Sequence, residues 1–200
     1  MTRKFRRIIR NFTRDTEGLV SVEFAIYAPI MLFVFASIVT FFDGFRQQNT
    51  NLKAAYTISD LISRETNYVN EDYIDSMHKL TALLVRSGTA ISLRISVVRW
   101  DEADGRYYVD WSKVRGTDYA EWSDETIQNI KDSLPVMPDQ ERTIVVETRN
   151  NVTPVFNVGP DIMNIENLVF SRPRFAPQVV FVDTAPNDKS HSDNSNKVIQ

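Results

Sequence analysis

Glu23 is the only charged residue in the run LVSVEFAIYAPIMLFVFASIVTFF, the 24 residues from Leu19 to Phe42. A carboxylate inside a hydrocarbon layer costs on the order of several kcal/mol, depending on its depth. Three readings of it are open. Close to the end of the run, the side chain can snorkel to the interface and have no role. It can pair with a partner inside the membrane. It can also belong to a processing signal, because Gly18 precedes four uncharged residues, Leu19, Val20, Ser21 and Val22, and then Glu23 and the aromatic Phe24. In that reading the chemistry is hydrolysis of the peptide bond after Gly18. Glycine has no Cβ, so its backbone fits a tight peptidase cleft. The cut frees the amine of Leu19 at the head of an apolar helix. The Glu23 carboxylate, at the fifth position of the cut chain, can then neutralise such an amine on a neighbouring subunit, which satisfies both charges in hydrocarbon. A basic leader lies upstream, and the stretch from Gly18 to Phe24 reads G-x-x-x-x-E-[FY].

Other candidate chemistry is sparse. The chain has no cysteine, which removes disulfides, thiolate metal sites and a cysteine nucleophile, and leaves the redox compartment open. Its two histidines are His78 and His191. His78 has Asp75 three residues before it, and a lone His–Asp pair is more often a surface contact than an acid–base site. Asp101, Glu102 and Asp104 crowd a turn, but Gly105-Arg106-Tyr107 does not continue a calcium-loop pattern, so turn chemistry is the expected role. Six glycines are scattered singly and form no phosphate loop. Trp100, Tyr107, Tyr108, Trp111, Tyr119 and Trp122 lie close together in sequence. Such residues can stack bases or sugars, but cross-strand pairing is the commoner use. No catalytic, cofactor or metal residues are expected.

The elements that position Glu23 follow from charge and length. Residues 1–18 carry six basic and two acidic side chains, a net of +4, whereas residues 43–200 carry 17 basic and 23 acidic ones, a net of −6. A basic tip suits a membrane or a nucleic acid; the apolar run behind it decides for the membrane, and the acidic remainder opposes nucleic acid. As a helix, residues 19–42 span roughly 36 Å, enough for a hydrocarbon core of about 30 Å. The positive-inside rule places the leader in the cytoplasm and residues 43–200 outside it. A signal peptide is the competing reading, but the apolar run exceeds the usual length and no small-x-small cleavage site closes it. Pro29 removes one backbone donor and is expected to kink or loosen the helix.

Downstream, Ala54, Ala55, Ile58, Leu61 and Ile62 recur at helical spacing, so the first helix is expected to continue to about Arg64, with Gly44 a flexible point. Asn70 is a suitable N-cap for a second helix, EDYIDSMHKLTALLVRS, with Tyr73, Met77, Leu80 and Leu84 as its stripe and Gly88 as its end. ISLRISVVRW alternates Ile91, Leu93, Ile95 and Val97 with Ser92, Arg94 and Ser96, the pattern of a half-buried strand. RYYVDW returns as its hairpin partner. EWSDETIQNIKDSL reads as a helix that Ser123 can cap without a capping box. RTIVVETR and QVVFVD read as two further strands. The expectation is α+β: a long N-terminal helix, a second helix and a small antiparallel sheet of about four strands. The organisation is a leader (1–18), a membrane helix (19–42), a helical stalk (43–88), an external α+β domain (89–183) and a polar tail (184–200) whose composition predicts disorder.

The stretch EGLVSVEFAIYAPIMLFVF resembles the N-terminal motif of TadE-like proteins, a basic leader followed by G-x-x-x-V-E-F-A and a proline about six residues after the Glu, here Pro29. TNLKAAYTISDLISRE is similar to the family's amphipathic stalk. TIVVETRNNVTPVF and the late Arg172-Pro173-Arg174 are similar to its C-terminal half. The resemblance implies a single-pass, non-enzymatic pseudopilin or minor-pilin-like component of the tight-adherence (Flp, type IVc) pilus system. It would sit in a bacterial inner membrane with its C-terminal domain periplasmic or extracellular, alone there or incorporated in the pilus. Its partners would be other pilin or pseudopilin subunits, the pilus assembly machinery and prepilin peptidase, and it would need no cofactor. Gly18, Leu19, Glu23 and Phe24 would be the processing and assembly residues. Members of the family differ in whether the leader is removed. Two alternatives remain: a pseudopilin of a general secretion system, and a membrane-anchored extracytoplasmic enzyme or sensor, which would need a pocket with several titratable groups.

Overall fold

A computed structural model describes residues 19–85, 90–153, 156 and 163–183. The expected leader, the Gly88 helix stop and the tail at 184–200 lie outside the described residues. The fold is α+β. Helix α1, Leu19–Ser63, runs unbroken through Pro29. Helix α2 is Glu71–Val85. Strands β1 (Ile91–Asp101), β2 (Arg106–Arg115), β3 (Arg142–Val152) and β4 (Met163–Ser171) form one antiparallel sheet in the order β2-β1-β3-β4. The chain divides into two compact units. One comprises Met1–Arg46 with Thr153–Met163, the other Gln47–Val152 with Asn164–Gln200. From Gln47 onward, the residues expected as a stalk therefore belong to the same unit as the sheet.

Within that unit the last part of α1 buries Asn51, Ala54, Ala55, Ile58, Ser59, Ile62 and Ser63. This is a stripe of period 3.6, with small residues where the backbone comes close and isoleucines where it must fill space. Ile58 and Ile62 join Ile74 of α2 over Leu93, Ile95, Val97, Ile144 and Val146 of the sheet. Leu61, expected on this stripe, is instead on the outer side of the helix. The α2 face is centred on Ile74, Thr81 and Val85, with Tyr73, Met77 and Leu80 only partly buried at its side. The helix ends are satisfied locally. Asn70 caps α2 as expected, its Oδ1 accepting the Tyr73 N–H at 2.9 Å. The Ser63 carbonyl at the end of α1 accepts the Arg174 N–H at 2.7 Å, which gives the Arg-Pro-Arg segment a structural task.

Three expectations are corrected. First, β1 is not half-buried: every residue from Ile91 to Val98 is buried. It lies between β2 and β3, and its second face is covered as well, by Ile127, Leu134 and Met137 around Val98 and Val145, and by residues 119–122 around Arg94. Second, the fourth strand is MNIENLVFS, with Ile165 and Val169 buried, and not QVVFVD. Residues 178–183 pair with the α1–α2 connection instead, through a parallel bridge between Val69 and Phe181. There Val69 N–H donates to the Val180 carbonyl at 2.8 Å and Val182 N–H to the Val69 carbonyl at 2.9 Å. Third, the helix expected at 121–134 is a 3-10 helix over Thr126–Ser133. Ile127 and Ile130, three residues apart, both pack inward, which suits a period of three, and Pro135 stops the segment from lengthening. Its N-cap residue, Glu125, makes no side-chain cap bond, and as expected no Glu or Gln completes a capping box; a reciprocal pair instead joins Ser123 and Thr126 across the entry to the helix. Ser123 Oγ accepts the Thr126 N–H at 3.3 Å, and Thr126 Oγ1 accepts the Ser123 N–H at 2.8 Å.

Two glycines are required by backbone conformation. Gly105 closes the β1–β2 hairpin at φ +61° with open space around it. Gly116, at φ +94°, turns the chain after β2 so tightly that a Cβ there would lie 2.7 Å from Ser92 Cα.

Candidate functional site

Gly18 lies outside the described residues, and α1 begins at Leu19. Glu23 and Phe24 are both exposed on its first turns, and the large apolar side chains that follow, including Tyr27, Met31, Phe35 and Phe42, are exposed as well. Among the described residues this is the one helix long and apolar enough to cross a membrane. The backbone of such a segment must satisfy itself, and a helix does so except at Pro29, which has no N–H to give. The two later hydroxyls of the run bond back to their own helix: Ser37 Oγ donates to the Phe33 carbonyl at 2.8 Å and Thr40 Oγ1 to the Ala36 carbonyl at 2.9 Å. Neither brings an unpaired donor into an apolar layer. Glu23 is the only Asp, Glu, Lys or Arg in the run, one turn before Tyr27 on the same side of the helix.

The remaining candidates resolve into structural contacts. His78 Nε2 lies 2.8 Å from the Ile91 carbonyl, tying α2 to the start of β1. Asp75 turns to the Arg115 side chain and not to His78. In the acidic turn, Asp101 Oδ1 accepts the Asp104 N–H at 3.2 Å and its Oδ2 accepts from Gln140 at 3.0 Å. These two bonds hold the Asp101 carboxyl below the usual carboxylate range. Among the described residues, no group of three or more His, Asp or Glu side chains converges as metal ligands would.

The aromatic group is dispersed. Trp100 and Tyr107 pair across the β1–β2 hairpin, the use expected of these aromatics, with ring centroids 4.7 Å apart. Trp111 meets Phe181 at 5.6 Å. Tyr119 and Trp122 stack on a cation that sequence reasoning did not single out: Arg94 Cζ lies 4.5 Å from the Tyr119 ring and 3.9 Å from the Trp122 ring. Arg94 also donates to both carboxylate oxygens of Glu147 at 2.6 Å and to the Ala120 carbonyl at 2.8 Å, and Trp122 Nε1 donates to Glu147 at 2.7 Å. Burial and the nearby carboxylates of Glu147 and Glu166 push the Tyr119 phenol up to about 12. The Arg94 guanidinium, the Glu147 carboxylate, the Ala120 carbonyl and the Trp122 indole N–H are bonded to one another, so the cluster ties residues 119–122 to the sheet.

A shallow polar cavity of about 460 Å³ lies beside β2, lined by Asp110, Trp111, Lys113, Glu121, Phe181 and Asp183 among others. Its amine is already held. Lys113 Nζ is 2.9 Å from Glu71 and 3.6 Å from Asp183, and lies 4.4 Å from the Phe181 ring centroid. The bond to Glu71 raises the Lys113 pKa, which keeps the amine protonated and unavailable as a nucleophile.

Among the described residues, the longest run of exposed large apolar side chains is the first half of α1, with a single carboxylate near its start. Compared with models of protein families, with curated proteins and with solved structures, the chain matches none.

Proposed function

We propose that this chain is a membrane-anchored, pilin-like subunit that acts by association, a pseudopilin or minor-pilin-like component of a tight-adherence pilus system. One observation carries the reading. A single helix, Leu19–Ser63, has two different halves. Its first half is exposed and apolar with one carboxylate. Its last part is a buried stripe sealing an antiparallel sheet. A helix built this way delivers a folded domain to an assembly whose contacts are made within the membrane. The G-x-x-x-V-E-F-A motif at Gly18–Ala25 and Pro29 supports the family.

In this function residues 1–18 are the cytoplasmic leader, α1 crosses the inner membrane, and the sheet unit is periplasmic or extracellular. Prepilin peptidase cuts after Gly18. The new Leu19 amine is then neutralised by Glu23 of a neighbouring subunit, because an ammonium or a carboxylate alone in hydrocarbon is costly.

Intact mass of the protein from its native membrane tests the scheme. The expected product lacks residues 1–18, and Gly18→Trp leaves the full-length precursor. Glu23→Ala and Glu23→Gln are expected to be cut normally but to lower pilus yield by tenfold or more, if about 1.4 kcal/mol or more of pairing is lost. Normal pili from all three variants would refute the processing and pairing roles and leave only an anchored domain.

A further inference from the structure

A second segment of the chain belongs with the outer turns of α1. Thr153–Met163, between β3 and β4, groups with Met1–Arg46 and not with the sheet. Its described residues Phe156 and Met163 meet one side of the helix. Thr40 is 2% exposed, whereas its neighbours Phe41 and Phe42 are 56% and 72% exposed. Thr40 Oγ1, bonded to the Ala36 carbonyl, also lies 3.5 Å from the Phe156 carbonyl oxygen. One helical turn on, Gly44 faces Met163, and a Cβ there would lie 3.0 Å from the Met163 sulfur. Ala36, Ser37, Thr40 and Gly44 are small and lie on this side, while Phe41, Phe42 and Phe45 point away. Phe156, with its carbonyl at Thr40, remains 41% exposed.

Depth follows from length. On the proposed reading the span starts near Leu19, and about 20 helical residues cross the hydrocarbon core, which brings Ile38 to its outer edge. Ala36–Phe45 then lie at the outer membrane–water boundary, and Phe156 lies at the same depth. Non-helical backbone is tolerated there because it packs against protein and reaches the headgroups, where water is available. An exposed apolar ring at that level buries itself among acyl chains, as the apolar side chains of interfacial segments do.

We propose that Phe156 is a second lipid contact, set beside Thr40 at the outer face of the membrane, so that the anchor is a helix with an apolar wedge beside it. The inference rests on α1 spanning the membrane. The absence of cysteine makes the test direct, since one introduced thiol carries a unique label. Spin labels on Ile38→Cys, Phe156→Cys and Val136→Cys are placed in the full chain, reconstituted in phosphatidylcholine–phosphatidylglycerol vesicles. Collision with oxygen, which concentrates in lipid, is compared with collision with a water-soluble nickel complex. Val136 is 95% exposed and serves as the aqueous reference. The expected result is an oxygen-to-nickel ratio at Phe156 at least threefold above that at Val136 and below that at Ile38. A Phe156 ratio equal to that of Val136, with Ile38 still oxygen-dominated, overturns the lipid contact and leaves the anchor standing. An Ile38 ratio equal to that of Val136 overturns the spanning helix, and this inference with it.

Discussion

At Arg94 the chain places a guanidinium in a central strand, 7% exposed, between two aromatic rings and bidentate to Glu147. Taking two charges out of water costs several kcal/mol each, and only complete pairing offsets it. Glu147→Ala leaves the guanidinium buried and alone, with the Trp122 indole N–H also without its acceptor. The expected loss is about 3–5 kcal/mol of unfolding free energy. Replacing both partners with apolar side chains, Arg94→Met with Glu147→Leu, removes the unpaired charge and should lie much closer to the wild type. Urea unfolding of the full chain in mild detergent, followed by tryptophan fluorescence, measures all the variants. A double variant as unstable as Glu147→Ala would show that the pair matters through shape and not through charge.

The N-terminus of α2 is where one element is fastened to another. Asn70 caps it, and Glu71 and Asp72 occupy its first turn, where negative charge favours the helix dipole. Glu71 also reaches Arg115 at 2.6 Å and Lys113 at 2.9 Å on the edge strand β2. The bonds from Arg115 and Lys113 lower the Glu71 pKa from its ordinary 4.5. A depressed folded-state pKa gives stability that is present above pH 4.5 and lost as pH falls through the lower folded value. Lys113 is shifted the other way, upward from 10.5, so its contribution is present below pH 10.5 and lost above the raised value. The fastening is thus complete across the neutral range. Glu71→Gln should flatten the loss of stability below pH 4.5 and change the midpoint little at high salt, because these groups are partly exposed and screened. Asn70→Ala should cost about 1 kcal/mol at every pH. Thermal melts of the full chain at pH 3.5 and 7 separate the two effects. An unchanged acid slope in Glu71→Gln would assign the acid sensitivity elsewhere.

For the whole molecule, the decisive quantity is the asymmetry of charge about the apolar run, +4 before it and −6 after it. On the proposed orientation the sheet unit is outside the cytoplasm. Protease added to intact spheroplasts should digest the chain beyond Phe42 and spare the leader. Full protection of the sheet unit would reverse the orientation or place the whole chain inside. A photocrosslinker at Tyr27 or Ile38, both exposed on α1, should trap small helical subunits if association runs through this helix, and lipid alone if the helix is a solitary anchor.

Where a feature depends on neighbours along the chain, the sequence alone determined it. The 24-residue apolar run, the extension of α1 through Ala54, Ile58 and Ile62, the Asn70 cap and the Trp100–Tyr107 hairpin all follow from local pattern, turn chemistry and charge. The motif at Gly18 and Glu23 was likewise legible as letters, and folding adds no partner to it among the described residues. Tertiary structure decided what distant segments do to one another. Alternation in ISLRISVVRW gives a strand but not its place in the sheet, and only that place shows that Arg94, Ser92 and Ser96 are buried. QVVFVD has the stronger strand composition, yet MNIENLVFS takes the sheet edge, because residues 178–183 are bonded to Val69. The packing of Thr40 near Phe156 joins residues 116 positions apart, and no local preference encodes that meeting. Helix period, caps and hairpins are settled by interactions within a few residues; strand order, burial of a charge and the match of a loop to a helix face are settled by which surfaces fit when the whole chain is in place.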